Sequence, residues 1–184
     1  MRIIAGEKRS RRLQTLEGLD TRPTLDRVKE ALFSILTPRI AGARVLDLYA
    51  GSGALALEAL SRGAQSAVLC DLSRKACRVI AANIAALDYG DKARLLCMPD
   101  SAALALLQKE QAAFDLIFLD PPYRMETADA CAAILEKGLL SPDGIIVAEH
   151  AREKEPPQVP GLTVVDRRQY GVAGLTFYCR SEGE

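Results

Sequence analysis

The feature that most constrains the fold is an alternation of two hydrophobic periods along the chain. Short runs rich in Val, Ile, Leu and Phe alternate with Ala-rich segments whose apolar residues repeat at helical spacing. The short runs occupy residues 44–49, 66–71, 94–98, 115–120 and 144–149, and the helical segments occupy residues 54–62, 74–87, 101–111 and 127–137. Buried parallel strands joined by crossover helices have this pattern. Because such crossovers are right-handed, the sequence predicts an open, doubly wound and mostly parallel α/β sheet.

The two ends of the chain depart from this alternation. After three prolines, residues 162–170 and 175–180 alternate on either side of a glycine-containing turn, which predicts a C-terminal antiparallel hairpin. Residues 2–5 and 11–16 flank a short basic turn and predict a small N-terminal β-hairpin extension. We therefore expect five parallel strands, a C-terminal hairpin and a basic N-terminal arm.

Length and composition indicate one domain. The chain has 184 residues, of which 49% are hydrophobic, and this suffices for a single enclosed core. A helix is predicted from a cap at Thr24 to about Leu36, with Pro38 as its stop. The apolar runs are shorter than the roughly 18 residues of a membrane span, and the N-terminus lacks the apolar region of a signal peptide. We expect a soluble, cytoplasmic protein with no membrane partner.

The cysteines and the single histidine argue against a metal site. The five cysteines are odd in number and include no CxxC pair, so zinc-ligand spacing is absent. We expect free, mostly buried thiols. His150 follows the fifth predicted strand, and we do not include it among the catalytic residues.

Charge is unevenly distributed along the chain. The 24 Lys and Arg residues balance the 24 Asp and Glu residues, which argues against a protein that coats nucleic acid by bulk electrostatics. The first twelve residues nevertheless contain five basic side chains against one acidic side chain. The five basic residues, which are candidates for binding a polyanionic partner, are Arg2, Lys8, Arg9, Arg11 and Arg12. The alternative is a solvated terminal tail.

The first candidate site lies where the first predicted strand meets the next helix. The sequence DLYAGSG runs from Asp47 to a turn formed by Gly51, Ser52 and Gly53, where backbone amides and a helix N-terminus face a ligand. A dinucleotide-binding turn would have a third glycine where this chain has Ala56. The carboxylate of Asp47 does not favour a negatively charged pyrophosphate, whereas it can attract a cationic amine.

Two further acids end the second and third predicted strands. Asp71 is placed to accept hydrogen bonds from ribose hydroxyls, and Asp100 is placed to contact a nucleobase edge. Each acid could instead cap the helix that follows it. Since the carboxyl ends of parallel strands share one edge of the sheet, we expect both side chains near the glycine turn.

The fourth predicted strand carries the most specific signal, because it ends in the tetrapeptide DPPY. The Asp120 carboxylate and the Pro121 carbonyl can each accept a hydrogen bond from an exocyclic amine on a flat base, which turns the nitrogen lone pair toward an electrophile. Pro122 stiffens the loop, and Tyr123 can stack on the ring. The structural alternative is a rigid stop to the strand with a packed tyrosine.

These motifs resemble a known family. DLYAGSG combined with DPPY resembles the Rossmann-like methyltransferases that use S-adenosyl-L-methionine to modify exocyclic amines of nucleic-acid bases. Three further blocks resemble the RsmD-type family of 16S ribosomal RNA guanine-N2 methyltransferases. They are MRIIAG at residues 1–6, TRPT at residues 21–24 and EALSRGA at residues 58–64. The resemblance spans nearly the whole chain.

The resemblance implies a single methyltransferase domain over residues 1–184, with a basic N-terminal extension at 1–23 and a catalytic core at 24–184. It implies that S-adenosyl-L-methionine binds through its methionine end to the first site, through its ribose to Asp71 and through its adenine to Asp100. The target guanine would then bind at residues 120–123. The implied partner is 16S ribosomal RNA, within a small ribosomal subunit or an assembly intermediate, and we expect a monomer. Ala56 and Pro99 depart from the family pattern and bear on cofactor affinity.

Three other functions remain open from the sequence. An adenine-N6 methyltransferase acting on DNA or RNA would use the same tetrapeptide. A noncatalytic RNA-binding module could retain the cofactor pocket of a methyltransferase without its activity. A nicotinamide-dependent dehydrogenase lacks its third glycine here and gives DPPY no role.

Overall fold

Strands and helices alternate along the chain in the order that the hydrophobic periods predict. The computed structural model describes residues 1–16, 23–121 and 126–181. The helices are α1 (Pro23–Ile40), α2 (Ala54–Ser61), α3 (Arg74–Ala86), α4 (Asp100–Lys109) and α5 (Thr127–Glu136). The strands are β1 (Arg44–Asp47), β2 (Ser66–Asp71), β3 (Ala93–Cys97), β4 (Phe114–Leu119), β5 (Leu140–Ala151), β6 (Leu162–Tyr170) and β7 (Ala173–Arg180).

The strands form one sheet in the order β3-β2-β1-β4-β5-β7-β6. The pairs among β1 to β5 are parallel, whereas β7 lies antiparallel between β5 and β6. The predicted doubly wound α/β sheet with a C-terminal antiparallel hairpin is therefore confirmed. At the N-terminus, an antiparallel bridge joins Arg2 to Arg12 and closes the basic turn.

The core lies on both faces of the sheet, because successive residues of a strand point to opposite faces. In β4, Leu116 and Phe118 belong to one buried cluster, which also contains apolar residues of α1, α2 and α3. Ile117 and Leu119 belong to the other cluster, which includes residues of α4 and α5. Burial on both faces explains why these strands have continuous apolar runs in the sequence.

Helix α1 is longer than the sequence predicts, because Pro38 lies inside it and does not end it. A proline in the last turn removes one backbone hydrogen bond and leaves the preceding turns intact. The apolar side chains of Phe33, Leu36 and Ile40 are all buried, and their packing on the core favours the final turn.

The prediction of free thiols is wrong for two of the five cysteines. Cys77 of α3 and Cys97 of β3 form a disulfide. Their Cα atoms are 5.9 Å apart, which lies within the range that a disulfide spans. The two residues are 20 positions apart in the sequence, so only the β2–α3–β3 fold brings them together. Cys70 and Cys131 are free and buried, as expected.

A buried carboxylate holds the N-terminal segment against α2. The Glu58 carboxylate accepts hydrogen bonds from the backbone amides of Ile4 at 2.8 Å and Ala5 at 3.0 Å. It also pairs with Arg62 at 2.8 Å and with Lys29 at 3.2 Å. Burial lowers the pKa of Lys29, although the neighbouring Glu58 charge opposes that effect. The arm is therefore docked on the body of the protein.

The turn of the arm approaches α2 so closely that it requires glycine. Gly6 has a φ of 86°, and a Cβ atom there would collide with the backbone carbonyl of Ser61. The amide of Glu7 donates to the same carbonyl at 2.8 Å. This contact explains the glycine in the MRIIAG block.

Within these three described segments, no helix is both long and apolar enough to cross a membrane. In the same residues, no group of His, Cys, Asp and Glu side chains is arranged to hold a metal ion.

Candidate active site

A cavity of about 620 Å³ lies at the carboxyl edge of the parallel strands, a volume typical of small-molecule sites. The N-terminal segment and α1 form its other wall. Most of the acidic residues that the sequence singles out lie around it. The lining residues used below are Tyr49, Ser52, Leu72, Met98, Pro99, Pro121, Glu149 and four aspartates, Asp47, Asp71, Asp100 and Asp120.

The glycine turn after β1 is fixed by the acid at the end of β2. The Asp71 carboxylate accepts hydrogen bonds from the amides of Gly51 at 2.9 Å and Ser73 at 2.8 Å. Gly53 caps α2 with a φ of 80°, and a Cβ atom there would lie 2.9 Å from the side chain of Leu69. The cap of α3 is Ser73, whose hydroxyl accepts from the amide of Ala76, so Asp71 orders the glycine turn and the cap residue without capping the helix itself. Asp71 also lines the cavity.

Asp100 is similarly held before any ligand binds. Its carboxylate accepts from the hydroxyl of Tyr49 at 2.7 Å and from the amide of Ser101 at 2.7 Å. It is the first residue of α4, so its negative charge lies at the positive end of the helix dipole. Burial and the adjacent Asp100 charge raise the pKa of the Tyr49 hydroxyl, which therefore acts as a donor.

Asp47 differs because the protein leaves part of its carboxylate unsatisfied. The side chain is buried, and Oδ2 accepts from the amide of Ala56 at 3.3 Å. Oδ1 has no hydrogen-bond partner within the described part of the chain. Burial, together with the nearby charges of Asp120 and Asp71, raises the pKa of Asp47 to about 7. An unpaired buried acceptor is costly, so a ligand that brings an N–H donor would relieve this cost.

A second pair of acids lies beside Asp47 at the ends of β4 and β5. Asp120 follows β4 directly, and Glu149 lies near the end of β5. Asp120 is accessible from the cavity, yet the surrounding protein removes enough water to raise the pKa of its carboxyl. Pro121 lines the same cavity. Pro122 and Tyr123, also predicted to bind the target base, lie outside the described residues.

The remaining wall is apolar and suits a flat ring. Leu72 follows Asp71, lines the cavity and is 70% exposed. Met98 and Pro99 line the same cavity. The cavity therefore combines an apolar wall with a diol acceptor in Asp71 and an amine acceptor in Asp47. This set of groups fits an adenosine joined to an amino acid.

The basic turn of the arm, residues 8–12, lies at a distance from this cavity, although Met1, Thr15 and Leu16 of the same N-terminal segment line it. The side chain of Arg11 donates to the carbonyl of Ala86 at the C-terminal end of α3 at 3.0 Å, and Lys8 lies 5.5 Å from the ring of Tyr89. The basic turn therefore sits beside the C-terminal ends of α2 and α3. The eight residues of α2 correspond to a separation of about 12 Å from the carboxyl edge.

The five basic residues of the arm do not share one environment. The Nε atom of Arg2 lies 3.8 Å from Oδ2 of Asp26, and Lys8 and Arg11 have the partners given above. Arg9 and Arg12 are exposed, and neither side chain forms a hydrogen bond or ion pair within residues 1–16, 23–121 and 126–181. Of the five basic side chains, these two are therefore the most open to solvent.

Sequence reasoning missed three residues of the site. Tyr49 lies inside DLYAGSG, but the donor role of its hydroxyl depends on Asp100, 51 residues away. Leu72 follows a predicted site acid, and its exposure is visible only in the fold. Glu149 ends the fifth predicted strand, so the rule that directed attention to the other strand ends could have found it.

Two polar residues have structural partners. Asn83 accepts from the amide of Gln14 at 2.8 Å and donates to the carbonyl of Ser52 at 2.9 Å, so it ties the N-terminal segment to the glycine turn. His150 contacts the hydroxyl of Thr176 at 2.8 Å and the carbonyl of Ala151 at 2.9 Å. With both ring nitrogens occupied, His150 stays outside the predicted catalytic set.

Comparison with known proteins decides the family. Residues 1–179 match the family model described as conserved hypothetical protein 95. The chain belongs to this family. It is 39% identical over 180 residues to the putative rRNA methyltransferase YlbH of Bacillus subtilis, a match covering 97% of this chain and 98% of that protein. It is 37% identical over 179 residues to ribosomal RNA small subunit methyltransferase D of Escherichia coli, covering 97% and 87%.

Solved structures agree with this family. A putative methyltransferase of Escherichia coli, yhhF, superposes with a TM-score of 0.86 at 32% identity and covers 98% of this chain and 97% of its own. The RsmD-type resemblance stated from the motifs is confirmed. S-adenosyl-L-methionine is the cofactor of the family's methyltransferases, and the cavity contains the acceptors that it needs.

Proposed function

We propose that this protein transfers a methyl group from S-adenosyl-L-methionine to the N2 amine of a guanine in 16S ribosomal RNA. The observation that carries the proposal is the carboxylate of Asp120 beside Pro121. Asp120 faces the cavity without a hydrogen bond from any described residue. The names of the relatives from Escherichia coli and Haemophilus influenzae, both ribosomal RNA small subunit methyltransferase D, support the substrate class.

The cavity supports a direct transfer. When bound, S-adenosyl-L-methionine supplies an electrophilic methyl group on a sulfonium. Asp47 would accept from the ammonium of its methionine moiety through Oδ1, and Asp71 would accept from the ribose hydroxyls. Asp100, oriented by Tyr49, would meet the adenine edge. These contacts fix the direction of the methyl group relative to Asp120.

Asp120 and Pro121 would act on the target amine. A guanine flipped out of its stack presents two N2 hydrogens, one for the Asp120 carboxylate and one for the Pro121 carbonyl. These bonds would draw the nitrogen lone pair out of conjugation with the ring and turn it toward the methyl group that the bound cofactor supplies. Asp120 would then accept the proton that the amine gives up when it is methylated. The raised pKa of Asp120 favours acceptance of that proton.

The same proposal covers the partners and the organisation of the chain. The protein would act as a monomer in the cytoplasm on a small ribosomal subunit or an assembly intermediate. Residues 1–23 would contribute to RNA docking, and residues 24–184 would bind the cofactor and perform catalysis.

Nucleoside analysis tests the proposal directly. Small ribosomal subunits from a strain that lacks the gene are incubated with the protein and methyl-labelled S-adenosyl-L-methionine, and the RNA is then digested to nucleosides. We expect labelled N2-methylguanosine at one position of 16S ribosomal RNA. Labelled N6-methyladenosine would contradict the proposed base, and an absence of label would contradict catalysis.

A further inference from the structure

Glu149 is a half-buried acid that the transfer described above does not use. Strands β4 and β5 are parallel, and Leu119 pairs with Ala148. Asp120 and Glu149 are the next residues of the two strands, so they stand side by side at the carboxyl edge. Both line the cavity that contains the unsatisfied Oδ1 of Asp47.

The protein supplies no partner for this side chain. Within the described residues, the Glu149 carboxyl forms neither a hydrogen bond nor an ion pair. Burial and the neighbouring charge of Asp120 raise the pKa of Glu149, so its ionised form is unfavourable in these surroundings. A ligand with a hydrogen-bond donor at this point would stabilise the carboxylate. The orphaned oxygen of Asp47, which the proposed function gives to the cofactor, lies in the same cavity and shows that donor-bearing ligands bind there.

The edge of guanine has the matching chemistry. Its N1–H and its N2 amine are adjacent donors on the same side of the ring. Two acceptors on neighbouring strands can therefore bind one guanine, with Asp120 at N2 and a second carboxylate at N1. Adenine presents a lone pair at N1, which a carboxylate repels.

We infer that Glu149 selects guanine by accepting a hydrogen bond from N1–H while Asp120 holds the N2 amine. This inference rests on the proposed function, since it assumes that the methylated base is guanine. Glu149 is then a specificity-determining residue that contacts the substrate. Its loss would reduce the distinction between guanine and a base that keeps the amine but lacks N1–H.

2-Aminopurine is such a base, and it makes the test specific. The guanosine identified by nucleoside analysis is replaced by 2-aminopurine riboside in RNA that is reconstituted into small subunits. The selectivity is the ratio of kcat/KM for guanine to kcat/KM for 2-aminopurine. We expect Glu149→Gln to lower this selectivity about 10- to 100-fold, the range for one hydrogen bond to a charged group. The amide of Gln can accept from N1–H of guanine or donate to N1 of 2-aminopurine.

Controls separate this role from a structural one. Because selectivity compares two substrates on one preparation, the folded fraction of the enzyme cancels. Glu153→Gln removes an exposed carboxylate from the turn after Glu149 and should leave selectivity at the wild-type value. If Glu149→Gln does not fold, Glu149→Asp keeps the charge on a shorter side chain and should give an intermediate selectivity.

The outcomes distinguish the two proposals. Wild-type selectivity in the folded Glu149 variants would overturn the role of Glu149 and leave guanine-N2 methylation intact. If the wild-type protein methylates adenosine, the proposed function fails, and the role of Glu149 fails with it.

Discussion

The five acids at the carboxyl edge of the sheet form two groups that the protein treats differently. The outer pair, Asp71 and Asp100, accepts hydrogen bonds from backbone amides and from a tyrosine hydroxyl. The inner trio, Asp47, Asp120 and Glu149, receives a single such bond, from Ala56 to Asp47, among the described residues. The protein therefore orients the outer pair in advance and leaves most acceptor positions of the inner trio open.

This difference separates binding from chemistry. Carboxylates that are already held offer fixed acceptors for a ribose and an adenine, groups that do not react. Carboxylates that lose water and gain no hydrogen-bond partner are unfavourable in their charged form. This loss of water raises the pKa values of all three inner acids. Perturbed acids clustered in a cavity are a mark of a reacting centre. We therefore expect substitutions of Asp120 and Glu149 to affect methyl transfer, and substitutions of the outer pair to affect cofactor affinity. Asp47 has the perturbed pKa of the inner trio but is the proposed acceptor for the cofactor's ammonium, so its substitution should change both pH dependence and cofactor affinity.

The largest effect is expected for Asp120→Asn. The variant replaces an acceptor oxygen with an NH₂ group that competes with the substrate amine and cannot take its proton. Turnover should fall by a factor on the order of 10²–10³, as for other contacts that strengthen in the transition state. Labelled methyl transfer to small subunits measures turnover, and calorimetry should show nearly unchanged affinity for S-adenosyl-L-methionine.

Asp129→Asn is the matched control for this variant, because Asp129 is exposed in the first turn of α5. It should keep wild-type turnover. If Asp120→Asn turned over at the wild-type rate, Asp120 would not belong with the reacting groups, and the division between the two groups would fail.

The inner trio should also make the stability of the cofactor-free protein depend on pH in a characteristic way. The pKa of Asp47 is about 7 in the folded state and 3.8 ordinarily, so between these values the folded protein keeps a proton that the unfolded chain releases. The free energy of unfolding should therefore decrease as pH rises through this window, by up to about 1.4 kcal/mol per pH unit from Asp47 alone. Asp47→Asn should flatten this slope in urea denaturation, whereas Asp91→Asn should not. Equal slopes in all three proteins would contradict the cost assigned to Asp47.

An outer substitution should act on the cofactor instead. Asp71→Ala removes the proposed ribose acceptor and also the bonds to Gly51 and Ser73. The dissociation constant for S-adenosyl-L-methionine should rise about 10- to 100-fold, the scale of hydrogen bonds to a charged group. Methyl transfer at saturating cofactor should survive, and Asp91→Ala should match the wild-type protein in calorimetry. Unchanged affinity would reduce Asp71 to a clamp on the glycine turn.

The sequence was sufficient to predict the sheet because central strands such as β4 are buried on both faces and therefore have continuous apolar runs. The more exposed edge strand β6 was predicted from its alternating pattern instead. Its errors arose where packing overrides local signals. Pro38 is a local stop signal, yet Ile40 is buried and the helix continues. Strand β5 begins at Leu140, four residues before the predicted run at 144–149, because Leu140 already pairs with Phe114 of β4.

The site was predictable to the extent that it lies at strand ends. Asp47, Asp71, Asp100 and Asp120 all follow apolar runs, so the sequence alone brings them to one cavity. Tyr49 and the partners of Asp100 depend on contacts between distant segments, which no local pattern encodes. The roles assigned to the individual site residues stay predictions until the variants above are measured.

The smallest effect is expected for the basic arm, which lies outside both groups of acids. Substitution of Arg9 and Arg12 with Ala should remove two phosphate contacts and leave the docked contacts of Lys8 and Arg11 in place. The log–log salt slope for RNA should become shallower by about 1.4 if the RNA is locally single-stranded, and the KM for RNA should rise about tenfold. The cofactor dissociation constant and the pH dependence of the unfolding free energy should not change, because phosphate contacts position the RNA and do not reach the cavity.

The control is Lys92→Ala with Lys109→Ala, which removes two exposed charges next to β3 and at the end of α4 and should leave the salt slope as it is. If the arm variant also kept its slope and KM, RNA would dock elsewhere on the protein, and the arm would serve only to close the cavity through Met1 and Leu16.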